Sequence, residues 1–268
     1  MDMRRRIVAL ALPLAAAMAT SARADHHDMS SHDVASDDEP RYGTFGGSVA
    51  LVAASYQTQY YGGDYQGAIL GGSWAYRQFS VGASLGSYRL YKNGLEQFGI
   101  GDVVANAQAT VVTSRNARGG VVVALSLPTA PYMSGLGMDH AMAMPAVFGA
   151  WKLGRVALAA TFGYSRALVP VADVAQHDHG PWPLVEPMNM SELTWSGSGE
   201  VALGGGVRAG ARLLGGVPIG AMPGHERVIA AARVAWASGR VDTSAELQGG
   251  LVGDPFSIRG VVSTALRF

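Results

Sequence analysis

The stretch Phe256-Ser-Ile-Arg-Gly-Val-Val-Ser-Thr-Ala-Leu-Arg-Phe268 puts Phe256, Ile258, Gly260, Val262, Thr264, Leu266 and Phe268 on one face of an extended chain. Ser257, Arg259, Val261, Ser263, Ala265 and Arg267 take the other. A period of two marks a strand whose two faces meet different surroundings. The segment before it repeats the pattern, with Val241, Thr243, Ala245 and Leu247 opposite Asp242, Ser244, Glu246 and Gln248. A soluble sandwich would turn the apolar face inward, and a membrane barrel would turn it outward.

The same texture runs back to Thr44 and marks twelve candidate strands, near 44–56, 65–76, 79–91, 100–113, 119–128, 144–153, 155–166, 193–204, 206–214, 226–237, 240–250 and 256–268. Twelve is an even number, and the connections alternate in length. Arg77-Gln78, Ser114 to Arg118, Leu153-Gly154, Gly204 to Gly206 and Ser238-Gly239 are tight, whereas Pro128 to Ala143 and Ala167 to Glu192 are long. Outer-membrane barrels sort their loops in this way, with short turns on the periplasmic side and long loops outside. The pattern predicts an all-β, transmembrane, antiparallel up-and-down β-barrel of about twelve strands over 44–268. Large aromatics fit two interfacial girdles, with Trp151, Trp236, Tyr76, Phe79 and Phe268 near the short-turn ends and Tyr56, Tyr65, Tyr91, Tyr164, Trp195 and Phe256 near the long-loop ends.

Composition agrees. The 268 residues include 36 Gly, and only 15% are charged, against a usual ~25%. Twenty basic residues balance twenty acidic ones, which gives no support to nucleic-acid binding. Residues 1–24 read as a signal peptide: Arg4, Arg5 and Arg6, an apolar run from Ile7 to Thr20, and Ala22-Arg23-Ala24 as the cleavage site. Residues 25–43 are polar and acidic and read as a disordered periplasmic tail bearing His26, His27 and His32. An exported chain without Cys has no disulfides, so packing or a membrane must hold it.

The chain resembles bacterial outer-membrane proteins in ending on an alternating strand, Val262 to Phe268, whose terminal Phe is similar to the signal such barrels present to their assembly machinery. That resemblance implies a Gram-negative outer membrane, with its lipid and that machinery as partners. Gly99-Ile-Gly-Asp-Val103, opening one strand, and Leu125-Ser-Leu-Pro-Thr-Ala130, closing the next, resemble the transporter-like barrels associated with phenol-degradation (MetA) pathways. This second resemblance implies passage of a small solute.

Charge in the strands is confined to one face. Glu200, Arg208, Arg212, Arg233, Asp242, Glu246 and Arg259 all lie opposite the lipid-facing set and are expected to form a lumen charge network. A basic side chain facing lipid at mid-depth costs ~2–4 kcal/mol, so a barrel needs this segregation whatever it does. In these neighbouring strands the charges alternate in sign, which suits either a seal or a selective lining.

Met and His avoid the strand interiors. Met133, Met138, His140, Met142 and Met144 fall in or beside one long loop, and His177, His179, Met188 and Met190 in the next. Imidazole and thioether suit a soft ion such as Cu or Ag, so these nine residues are the candidate metal ligands. Met138-Asp-His-Ala-Met142 also resembles the Met/His repeats of exported copper-handling proteins. Tolerance of such residues in loops is the simpler explanation.

No catalytic constellation stands out. Gly82-Ala-Ser84-Leu-Gly86 fits G-x-S-x-G but lies inside an alternating strand rather than at a strand-to-helix elbow. Asp139-His140 and His177-Asp178-His179, with Ser134 or Ser191, are the remaining candidates for an embedded enzyme. The expected function is therefore an outer-membrane channel or transporter for small solutes, without chemistry of its own and with a possible link to soft metals. A sealed structural barrel is the alternative.

Overall fold

The structure, a computed structural model, describes residues 43–57, 62–169, 182, 184–185, 188–220, 226–253 and 256–268. The segments read as signal peptide and tail lie outside them, apart from Gly43. The strands are β1 (Thr44–Gln57), β2 (Gly62–Tyr76), β3 (Phe79–Lys92), β4 (Leu95–Thr113), β5 (Ala117–Leu127) and β6 (Met142–Leu153). They continue as β7 (Val156–Ala167), β8 (Ser191–Gly204), β9 (Val207–Pro218), β10 (Arg227–Ser238), β11 (Val241–Val252) and β12 (Phe256–Arg267). Each pairs antiparallel with its sequence neighbours, and β1 closes on β12 with Gly46 opposite Arg267 and Leu51 opposite Val262, so the sheet is a closed barrel.

Closure follows from the alternation. Outward positions carry exposed apolar side chains, among them Leu70, Val81, Val123, Val147, Phe162, Leu213, Val234, Leu247 and Ile258. A water-facing surface of this kind would be a liability, whereas a lipid-facing one satisfies both the side chains and the fully paired backbone. The outward ion pair Arg89–Glu96, at 2.6 Å and half exposed, marks the loop end of that band, since charge there must stand clear of hydrocarbon.

Two expectations are corrected. The third connection is shorter than the candidate strands 79–91 and 100–113 leave it: β3 and β4 run on to a two-residue turn at Asn93-Gly94, with φ of 50° and 82°. Positive φ at both positions is the type I′ hairpin that Asn-Gly favours, because its twist matches that of the flanking strands. The loop-end girdle also loses three members. Tyr56, Tyr65 and Phe256 are 3%, 1% and 3% exposed and lie inside the barrel, not at its outer rim. An irregularity at Ser55/Tyr56, where Ser55 faces Ile258 and Tyr56 faces Phe256, shifts the alternation of β12 and turns Phe256 inward. Trp151, Trp236, Phe79 and Phe268 remain outward at the turn end, where both ends of the described chain lie, and Tyr91 remains outward at the loop end.

Candidate functional site

The lumen changes character along its axis, and each inward-facing row of side chains records the change. On β1 the row reads Thr44, Gly46, Ser48, Ala50, Val52, Ala54, Tyr56; on β3 it reads Ser80, Gly82, Ser84, Gly86, Tyr88, Leu90. Small and polar residues occupy the turn end, and apolar ones the loop end.

The turn-end half encloses a cavity of about 660 Å³ that reaches the rim turns at Arg77, Gly154 and Arg155. Its charged wall is built by β8 to β11. Arg233 Nη1 donates to Glu200 Oε1, and Arg208 Nη2 donates to Asp242 Oδ2 at 3.0 Å. Arg208 Nε lies 3.5 Å from the other Glu200 oxygen, so Glu200 is shared between two guanidinium groups. Arg212, 5% exposed, lines the same cavity.

A polar layer crosses the middle. Gln248 Nε2 donates to Glu246 Oε1 at 2.5 Å, and Arg259 Nε donates to Gln248 Oε1 at 2.6 Å. The Arg259 guanidinium also lies 4.3 Å over the Phe256 ring and reaches Tyr65 Oη at 3.4 Å, joining this layer to the apolar one beyond it. All seven residues expected to form the charge network therefore sit on the inner face, divided between the wall and this layer.

In the loop-end half, Tyr56, Tyr65, Ile69, Tyr88, Leu90, Ile229, Phe256 and Val261 form a buried apolar cluster inside the barrel. Tyr65 packs against Tyr56 at 5.4 Å and edge-on to Tyr88 at 6.1 Å. Gly67, Gly86 and Gly101 leave room for the Tyr88 ring; a Cβ on Gly101 would come within 2.7 Å of it. Beside this cluster, buried Glu192 accepts from Arg227 Nη2 at 2.5 Å and from Asn189 Nδ2 at 2.7 Å.

Leu136 from the 128–141 loop and Val185 from the connection between β7 and β8 join the apolar cluster. These two segments are joined by Val185 N donating to Gly135 O at 3.0 Å. Tyr56 Oη donates to Leu184 O at 2.5 Å, and Gln97 Nε2 to Ser134 O at 2.9 Å. The strongest anchor is Asp102. Leu85 faces Val103 while Ser87 faces Ile100, so Gly86 opposes both Gly101 and Asp102; this bulge re-aims the Asp102 side chain. Its Oδ1 accepts from the backbone N–H groups of Thr129 and Ala130, both at 3.1 Å, and its Oδ2 accepts from Met138 N at 2.8 Å. Thr129 Oγ1 in turn accepts from Val103 N at 2.9 Å. Gly99 passes beneath Leu136, where a Cβ would approach its Cδ1 to 2.6 Å. The segments Gly99–Val103 and Leu125–Ala130 thus act together as a clamp on the 128–141 loop.

The candidate metal ligands are only partly brought together. Met138, His140 and Met142 are 4%, 3% and 0% exposed, and His140 Nε2 lies 3.1 Å from Met142 Sδ. Met133, Met144, Met188 and Met190 are part-buried. His177 and His179 lie outside the described residues. Among the described residues no group of three or more His, Cys, Asp or Glu gathers around a point.

Of the hydrolytic candidates, His177-Asp178-His179 lies outside the described residues, and the serines have other surroundings. Ser84 is in the interior of β3. Ser134 Oγ accepts from Leu136 N at 3.2 Å, and Ser191 Oγ lies 2.8 Å from Tyr164 Oη.

Asp102, Gln248, Glu192, Asn189 and Arg227 were not singled out by the sequence. Asp102 carried a usable signal, an acidic residue between Gly101 and Val103 just where alternation falters. Glu192 lies one residue outside the strand that alternation marks from 193.

No family model matches the chain, and no curated relative matches it in sequence. Solved structures do. The COG4313 outer membrane channel from Pseudomonas putida F1 is 13% identical, with a TM-score of 0.67 over 88% of this chain and 100% of that one. The KdgM porin is 8% identical, with a TM-score of 0.53 over 82% of this chain and 99% of that one. At these identities the likeness concerns the backbone, and it shows that this chain has the fold of outer-membrane β-barrels.

Proposed function

We propose that the protein is an outer-membrane channel for small solutes, held shut at its external end by side chains and two loops. The observation that carries this reading is the cavity of about 660 Å³ behind the closure. Eight-stranded barrels are filled by side chains, but this barrel of twelve strands keeps a space of that size in its turn-end half. The closure itself is made of side chains and loop residues clamped at Asp102, parts that can rearrange without breaking the barrel. Membership of the channel and porin fold adds to this, as do the signal-like N-terminal segment, the turn-end location of the cavity and the terminal Phe268 expected to engage the assembly machinery.

Planar-bilayer conductance of the refolded chain tests the reading, with phenol among the solutes offered because of the motif resemblance. Asp102→Ala should free the 128–141 loop and convert brief openings to sustained ones. If wild type, Asp102→Ala and a variant lacking 131–137 all fail to conduct, the protein is a sealed structural barrel.

A second reading, a soft-metal site, rests on Met138, His140 and Met142 being buried at alternate positions with the imidazole beside a thioether. Three such donors suit Cu(I) or Ag(I). Silver titration of the reduced protein checks it: an affinity unchanged in a His140→Ala, Met142→Leu variant would end this reading.

A further inference from the structure

We infer that the turn-end cavity binds small organic anions bearing two or more carboxylates. The inference deepens the channel reading and relies on it for transport, although binding itself can be measured apart from conduction.

The first ground is charge. Seven cationic residues line the cavity against two carboxylates. Arg208, Arg212 and Arg233 form the inner wall, and Arg77, Lys152, Arg155 and Arg267 stand towards the rim. The two acids, Glu200 and Asp242, are already engaged with Arg208 and Arg233. An excess of five positive charges therefore surrounds one concave space with low-dielectric walls. Such a space concentrates anions and repels cations.

The second ground is shape. The wall facing the arginines, from β1 to β3, carries Gly46, Ser48, Ser73, Ser80, Gly82 and Ser84. These side chains are small enough to leave the space empty and offer hydroxyl groups to a polar ligand. A barrel that needed only to be stable could fill this half with apolar side chains, as it does the other half.

The third ground is distribution. Guanidinium groups bind carboxylates through paired N–H donors, and cations on several strands and at several depths suit several separated carboxylates better than one. The volume lies within the range of about 300–1,000 Å³ usual for small-molecule sites.

The experiment uses the refolded full-length chain in detergent and in bilayers, with citrate as the anionic probe and spermidine as the cationic control. Calorimetry should show saturable citrate binding, no spermidine binding, and loss of citrate binding at high salt. Lys152→Glu with Arg155→Glu changes exposed rim positions outside the ion-pair network, so folding should survive, and citrate should weaken on the order of tenfold. Arg212→Gln gives an independent second variant with the same direction of change. In bilayers, a KCl gradient should give a reversal potential favouring chloride. Absence of citrate binding, citrate binding unaffected by both variants, or a preference for potassium overturns the inference. Citrate binding without conductance would support the site and remove only the channel reading.

Discussion

The two halves of the lumen are built from the same strands and differ in almost everything else. Below Glu246, Gln248 and Arg259, the inner face is polar, charged and incompletely filled; beyond them it is chiefly aromatic and aliphatic and packed, with one buried Glu192–Arg227 pair beside the cluster. In β1 the passage from Ser48 to Tyr56 crosses this border within nine residues, and in β3 from Ser80 to Leu90 within eleven. The difference teaches that a barrel wall sets no requirement on its interior. Lipid constrains only the outward positions, and the inward ones are free to make a core in one half and a solute-sized space in the other.

The sharpest way to break this comparison is to remove one large side chain from the packed half. Phe256→Ala should cost about 3–5 kcal/mol, the usual loss for emptying a buried aromatic site. Ser80→Ala, facing the cavity, should stay within about 0.5 kcal/mol. Urea unfolding in micelles reads both; equal effects would mean that the apolar cluster is not a core.

A smaller effect is expected at the clamp. Asp102→Asn keeps one oxygen to accept from Thr129 and Ala130 and loses the charge and the bond from Met138, so the cost should be about 1.5–3 kcal/mol, that of one hydrogen bond to a charged group. The loss should appear as faster amide exchange across 128–141 while β4 and β5 keep their protection. Exchange that rises evenly through the barrel would show that loop and wall are one cooperative unit.

The smallest effect is expected in the charged half. Arg233→Gln breaks a pair with Glu200 that borders the cavity and keeps Arg208 as a second partner, so the cost should be on the order of 1 kcal/mol or less. It should shrink further as salt is raised. A loss of about 3–5 kcal/mol, as for a buried charge left without its partner, would mean that the cavity is dry and belongs to the core after all.

Much of this architecture was legible in the chain. Segregation of Glu200, Arg208, Arg212, Arg233, Asp242, Glu246 and Arg259 from Val234, Leu247 and Ile258 could be read off because hydrocarbon penalises charge at every outward position, leaving a period of two. That same criterion is blind where both faces are apolar. Tyr56, Tyr65 and Phe256 looked like interfacial aromatics because an inward-facing core residue and an outward-facing girdle residue have the same chemistry. The β3–β4 turn was drawn too wide, at 92–99, for a different reason: Glu96, Gln97 and Gly99 around Phe98 interrupt the apolar alternation, so the start of β4 was read as connection.

The amino-acid sequence by itself determined the twelve strands, the outward apolar band, the inward charges and the end at which long loops gather, since each follows from local alternation and the solvent it meets. Only the tertiary structure decided that the loop-end half of the lumen holds a packed apolar cluster and the turn-end half a cavity. That outcome depends on residues far apart in the chain meeting across the lumen: Asp102 with the amide of Met138, Tyr65 with Arg259, Val185 with Gly135. No period in the sequence encodes such meetings, because they are set by barrel closure, by a bulge that turns one carboxylate aside, and by how two loops fold inward together.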